Sequence, residues 1–366
     1  MIEQTKPLIG RKEIENVVAY LESGGWLTEF KETRKLEERI ANYLNVGHCI
    51  LTTSGTVALT LAYLYFKQTD PYRQDVIVPN MTMIATANAM LLANFNPVFV
   101  DVERSTGCLD IEVIENLGNH ASNKITGVVY VSLNGRCGNI TKLKKICESN
   151  DWFLLEDACQ SFGSTHSNKY LGTIGDVGCF SLSPHKIITT GQGGFVVTND
   201  SNAAEWIRLY KDFGRRAPGV DDHIHTGYNF KFTDLQAVVG LAQLESIDER
   251  INTKQRIYNR YMANLKGTKH IDTIPFKSGV PWFVDIYSEK REKIIEALKA
   301  NRIKCRPMYP VVSTQSPYNT AAHARYTYSS EISAWMSSTG LWLPTYLELE
   351  DAQIDEICNV IKNAIN

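Results

Sequence analysis

No pair of cysteines in this 366-residue chain is spaced as C-x-x-C, no tract of lysine and arginine interrupts it, and no apolar run approaches the roughly 18 residues of a membrane span. Each absence removes a class of function. The eight scattered cysteines form neither a metal-binding framework nor a dense disulfide scaffold, which suits buried thiols in a reducing compartment. Lys plus Arg (38) nearly balances Asp plus Glu (40), so the footprint expected of a nucleic-acid binder is missing. The first residues, MIEQTKPLIGRKEIENVV, have no apolar signal core, and neither repeats nor a low-complexity linker are visible. The expectation is a cytoplasmic protein with no nucleic-acid or membrane partner.

What is present is a periodic pattern long enough for a large core and two domains. Ile14, Val17, Val18 and Leu21 fall at helical spacing and stop at Gly24-Gly25; Leu36, Ile40, Tyr43 and Leu44 mark a second amphipathic helix. From Cys49 to Asp200, β-rich runs (HCILTT, VIVP, PVFVDV, GVVYVSL, WFLLED, GCFSL, GGFVVTND) alternate with helical stretches, predicting an α/β fold with a mostly parallel, buried sheet. Thr233 caps a single long helix running to about Leu265. Beyond it, PWFVDIY and KCRPMY surround a helix with Ile294, Ile295 and Leu298, and a final helix carries Ile354, Ile357, Cys358 and Ile361. This divides the chain into a large domain, 1–248, and a smaller C-terminal α+β domain, 249–366.

Three segments carry chemistry. Asp157 ends the run WFLLED, at the strand end where open α/β sheets place ligands. Lys186 follows the strand GCFSL and precedes TTGQGG. A carboxylate and a lysine so placed are the two groups pyridoxal phosphate needs, one for its ring nitrogen and one for its aldehyde. Ser54-Gly55-Thr56 opens a helix, whose first amides bind phosphate well. Taken alone, Ser-Gly-Thr reads as a plain cap and Glu-Asp as a cap or ion pair. Gln160 can bond a ring hydroxyl, and Ser181 can give its hydroxyl to the phosphate. Trp26, His185 and Arg306 are candidates for the substrate side, each with an ordinary packing or ion-pair role as its alternative. Asp176 is expected to shape the turn before the Ser181 strand.

Together ESGGWLTEF, TTSGTVAL, VIVPNMTMIATANAM, PVFVDV, EDACQSFGS, LGTIGDVGCFSLSPHKIITTGQGGFVVTND, GYNFKFTDLQAVVGLAQL and LWLP resemble the DegT/DnrJ/EryC1/StrS family of sugar aminotransferases almost end to end. The resemblance implies the aspartate aminotransferase (fold type I) architecture, pyridoxal 5′-phosphate as cofactor with its pyridoxamine form as intermediate, and a transamination. Lys186 is then the cofactor lysine, Asp157 the ring-nitrogen partner, Gln160 the contact to the ring hydroxyl, and Gly55, Thr56 and Ser181 the phosphate site. Asn229, in GYNFKFTD, matches an asparagine that reaches the cofactor phosphate of a neighbouring subunit, implying a homodimer with shared active sites. L-glutamate is the implied donor and a keto sugar the acceptor, with a particular likeness to members that aminate C4 of a nucleotide-linked 4-keto-6-deoxyhexose for surface-polysaccharide or glycoconjugate synthesis.

Four departures bear on the substrate. Met83 stands where an aromatic stacks on the ring, Gln192 replaces a glutamate, Val312 and Ser313 occupy the place of a histidine, and the stretch from Pro275 to Lys304 is short. A smaller acceptor without a nucleotide is therefore an alternative, as is a dehydratase of the same fold. In that branch histidine replaces the lysine; here Lys186 stands four residues before Thr190, as in the transaminases. A non-catalytic scaffold is disfavoured by the intact lysine and aspartate.

Overall fold

The protein is described from a computed structural model covering residues 1–120, 124–276, 278–319 and 328–365, with side chains from 118 to 120 left aside. Seven strands form the central sheet. Their spatial order is His48–Thr52, Gly194–Thr198, Val177–Ser181, Phe153–Asp157, Ile125–Val131, Asp75–Pro79, Asn96–Val100. The Gly194–Thr198 strand is antiparallel to both neighbours; the pairings from Val177–Ser181 onward are parallel. Helices cover both faces. That explains why DVIVP and ITGVVYV are buried at every position and, Asp75 and Thr126 apart, apolar without alternation.

Asp157 and Ser181 are each the last residue of their strand, and Asp157 pairs in register with Val131 and Cys179. Both side chains therefore emerge at one edge of the sheet. The helix Gly55–Thr69 starts at the same edge, capped by the Ser54 hydroxyl, which accepts from the Val57 amide. Gly194 brings the neighbouring strand against that start: a Cβ there would lie 2.4 Å from Gly55 N. The glycines of TTGQGG thus serve the backbone in two ways, positive φ at Gly191 and Gly193 and close approach at Gly194.

One expectation needs correction. The long helix is two, Asp234–Glu245 and Ile247–Leu265, parted at Ser246, whose ψ of 14° leaves the helical range. Thr233 does cap the first, accepting from Gln236 N. The first helix, Arg11–Glu22, leaves Ile14, Val18 and Leu21 about half exposed, so its apolar face does not enter the core, whereas Leu36, Ile40 and Leu44 of Lys31–Leu44 are fully buried. Asp176, expected only to shape a turn, accepts from Leu154 N at 2.7 Å and so ties the start of the Asp157 strand.

The C-terminal part has a three-stranded antiparallel sheet, ordered Val284–Tyr287, Gly340–Leu343, Arg306–Pro307. Its core joins Ile294, Leu298, Ile354, Ile357, Cys358 and Ile361 to Ile257, Tyr261 and Leu265 of the long helix, with Ile2 from the start of the chain. The central strand Gly340–Leu343 contains the LWL of the late motif. No described helix is long and apolar enough to cross a membrane.

Candidate active site

A cavity of about 260 Å³ opens at the sheet edge that carries Asp157 and Ser181. That is near the lower end of small-molecule pockets, about 300 Å³. Gly55, Thr56, Met83, Asp157, Gln160, Ser181, His185, Lys186, Gln192 and Arg306 all line it. A larger open groove, about 960 Å³, lies past the opposite strand ends, near Arg73, Lys144 and Asp200. Arg73 there is already paired with Asp70 and Asp151, so the smaller cavity is the one with converging reactive groups.

Asp157 forms the floor and is only 5% exposed. Its Oδ2 accepts from Thr86 Oγ1 at 2.7 Å and its Oδ1 from Cys159 N at 3.2 Å. A buried carboxylate needs such partners, and these fix its orientation. Gln160 Oε1 accepts from Asn134 N at 2.7 Å, so the side chain's donor is its Nε2 group. At the other end, the start of the Gly55–Thr69 helix presents amides lacking helical partners, beside the Ser181 hydroxyl.

Lys186 sits on a turn closed by its own amide donating to Ser183 O at 3.0 Å. Ile187 and Ile188, both buried, and Thr189, whose hydroxyl donates to Leu182 O at 2.9 Å, clamp the turn to the core. Burial lowers the lysine's pKa from the usual 10.5 to about 8, aided by Arg306 and opposed by Cys159 and Asp157. His185 is pushed down to about 4 by burial and by the positive charges of Lys186, Arg306 and Lys254. Its imidazole is therefore neutral, with Nε2 3.4 Å from Ser183 Oγ.

The C-terminal part supplies the remaining wall, in Trp282, Arg306 and Tyr309. Trp282 was legible only as part of a strand fragment. The Lys186 amine lies 3.9 Å from the centre of its ring, and its indole N–H donates to His185 O at 2.8 Å. Asn134, in left-handed backbone geometry (φ 57°), pairs both side-chain ends with the Phe283 backbone, at 2.7 and 2.8 Å. Close by, Arg136 and Asp285 make a two-point ion pair that is almost wholly buried. Thr86 was missed too; only its place, three residues after Met83 in a helical turn, hinted at it.

Two named residues lie elsewhere. Trp26 is 66% exposed and outside the cavity. Its loop is held away by Tyr20 Oη, which donates to Trp26 O at 2.6 Å, and by Asp234, which accepts the amides of Phe30, Glu32 and Thr33. Asn229 is exposed on the segment paired with Asp212 and does not line this chain's cavity. Arg306 is exposed at the mouth, its guanidinium about 5.5 Å from the Trp342 and Tyr309 rings.

The residues fit a phosphorylated pyridine aldehyde. The cradle is tight where an anion would sit, since a Cβ on Gly55 would come 2.9 Å from Ser181 Cβ and 3.0 Å from Cys159 Sγ. A buried carboxylate and a desolvated amine line the same cavity, and these are the two kinds of group that such a ring's nitrogen and aldehyde need. Among the described residues no cluster of His, Cys, Asp and Glu could hold a metal ion.

GDP-perosamine synthase from Escherichia coli O157:H7 is 30% identical over 97% of this chain and 96% of its own length. An aminotransferase from Helicobacter pylori involved in pseudoaminic acid biosynthesis superposes with a TM-score of 0.92 over 99% of this chain and 98% of its own, at 22% identity, which speaks for the fold. A DegT DnrJ EryC1 StrS aminotransferase from Brucella abortus gives 0.87 over 96% and 95%, at 26% identity. Residues 7–362 match the family described as DegT/DnrJ/EryC1/StrS aminotransferases, and the chain belongs to that family.

Proposed function

We propose that this protein is a pyridoxal phosphate-dependent aminotransferase that moves an amino group from L-glutamate to a nucleotide-linked 4-keto-6-deoxyhexose, in the synthesis of a surface polysaccharide or glycoconjugate. The observation that carries the reading is the single cavity shared by the Lys186 amine and the Asp157 carboxylate. Bound there, pyridoxal phosphate supplies an aldehyde and an electron-accepting ring. Lys186, unprotonated above about pH 8, would be the nucleophile that holds the aldehyde and, when not bonded to it, the base that would move the proton at the substrate's Cα. Asp157, oriented by Thr86, holds the ring-nitrogen proton; Gln160 donates to the ring oxygen; Gly55, Thr56 and Ser181 bind the phosphate. Met83, at the cavity wall, would offer a thioether to one ring face.

Arg306, with no ion pair among the described residues, is suited to the donor carboxylate or a diphosphate. His185 faces the substrate as a neutral donor or acceptor, whereas Trp26, exposed and outside this chain's cavity, does not reach substrate bound there. Asn229, exposed beside Tyr228 and Ile224, is read as serving the phosphate of a second copy, in a homodimer with shared sites. The chain divides into units 1–248 and 249–366, a reading supported by the helix break at Ser246, and works in the cytoplasm.

One observation favours a second reading, a smaller keto acceptor without a nucleotide. Ser313, in the place of the family histidine, is engaged by Asn80, which donates from Nδ2 to its hydroxyl and accepts its amide, both at 2.8 Å. A panel of nucleotide-linked and free keto sugars, incubated with protein, cofactor and glutamate, separates the two by mass spectrometry of the aminated product and 2-oxoglutarate. Glutamate consumption without an aminated product, or turnover by Lys186→Ala, sinks the proposal.

A further inference from the structure

A lysine that both anchors a cofactor and carries protons must leave its bond and return to it, and needs a place to stand in between. In this structure the Lys186 amine stands over Trp282, 3.9 Å from the ring centre. The ring is held from three directions. Its indole N–H donates to His185 O at 2.8 Å, one residue from the lysine it carries. The buried Lys254 donates to its carbonyl at 3.0 Å and also to Thr345 O. The next residue, Phe283, stacks on it at 3.9 Å and is fixed at both backbone polar groups by Asn134, whose own amide holds Gln160.

We infer that Trp282 is the positioning residue on which the Lys186 amine rests whenever it is not bonded to cofactor. The inference rests on the reading of Lys186 as the cofactor lysine. An indole face attracts an ammonium through its quadrupole, more so away from water, yet lacks the localised charge that would lock it in an ion pair. The amine is kept within reach of the ring site and free to return. The tie from the indole to His185 O holds platform and lysine turn as one unit, although they come from distant parts of the chain. Phenylalanine would keep the π face and lose this tie; leucine would lose both.

The charged and titratable groups around the amine are Asp157 and Cys159 from the strand end below, His185 on its own turn, Arg306 and Tyr309 from the C-terminal part, and Lys254 behind the indole. Because the ring favours the charged amine, its removal lowers the lysine's pKa.

The test follows indole fluorescence of the cofactor-free, full-length protein against pH. Wild type is expected to show a step near pH 8, lost in Trp282→Phe and in Lys186→Met, with the near-ultraviolet circular dichroism of the other tryptophans retained. A step that persists in Lys186→Met, or none in wild type, overturns the inference. A second measurement is the pH at which cofactor capture reaches half its maximal rate. It is expected to fall by about 0.5 to 1 in Trp282→Leu and by less in Trp282→Phe; equal values in all three proteins overturn the inference. If wild type captures no cofactor, the proposed function fails while the fluorescence step still reports on the contact.

Discussion

Thr86 Oγ1 donates to Asp157 Oδ2 at 2.7 Å and lies 3.0 Å from Thr82 Oγ1, so the carboxylate at the cavity floor is held by a hydrogen-bonded threonine pair. Tyr63 Oη holds the same turn by donating to Thr86 O at 3.0 Å. Thr86→Val keeps the shape and removes the donor, and a lost hydrogen bond to a charged group predicts roughly a tenfold or greater fall in kcat/KM. Asp157→Asn, which removes the charge, should cost at least about 100-fold. Steady-state kinetics with glutamate check both; a Thr86→Val enzyme as fast as wild type would show that Asp157 needs no such aiming.

The desolvated lysine makes a pH prediction with a definite sign. Only the unprotonated amine attacks an aldehyde, so cofactor capture should accelerate as pH rises through about 8 and slow about tenfold for each pH unit below it. His185, held near 4, stays neutral across this range and adds no inflection. Stopped-flow absorbance of the cofactor reads the rate; a profile flat from pH 6 to 9 contradicts the assignment.

Arg136 and Asp285 join the loop after the Ile125–Val131 strand to the strand Val284–Tyr287, which follows closely on Trp282, with Tyr287 Oη also donating to Asp285 and Arg136 to Ile274 O. Removing one member strands a buried charge, and Asp285→Asn or Arg136→Met should each cost about 3–5 kcal/mol. The double replacement should cost less than the sum of the two. Urea denaturation of the four proteins measures the cycle, and additive effects would mean the pair is not coupled.

Gly194→Ala would place a methyl 2.4 Å from Ser54 C and Gly55 N, where backbone cannot yield without moving the helix start. The expected outcome is a loss of cofactor affinity greater than the loss of thermal stability, seen by titrating cofactor absorbance and by melting. Unchanged affinity would place the phosphate elsewhere than at this helix.

The sequence by itself determined the mostly parallel sheet, because strands buried on both faces must be largely apolar, and it placed Asp157 and Lys186, because the first ends one such run and the second lies in the loop after another. Ser54 and Thr233 were legible as caps for the same local reason. What it did not carry was anything requiring two distant segments to meet. Trp282 and Arg136 look like ordinary core and surface residues until the C-terminal sheet docks beside the cavity. The exposure of Ile14, Val18 and Leu21 is equally invisible in their helical spacing, since periodicity gives a face but not what lies against it. Tertiary packing alone decided which aromatic ring lies against the amine of Lys186, because that contact is made across nearly a hundred residues of chain and leaves no mark in local pattern.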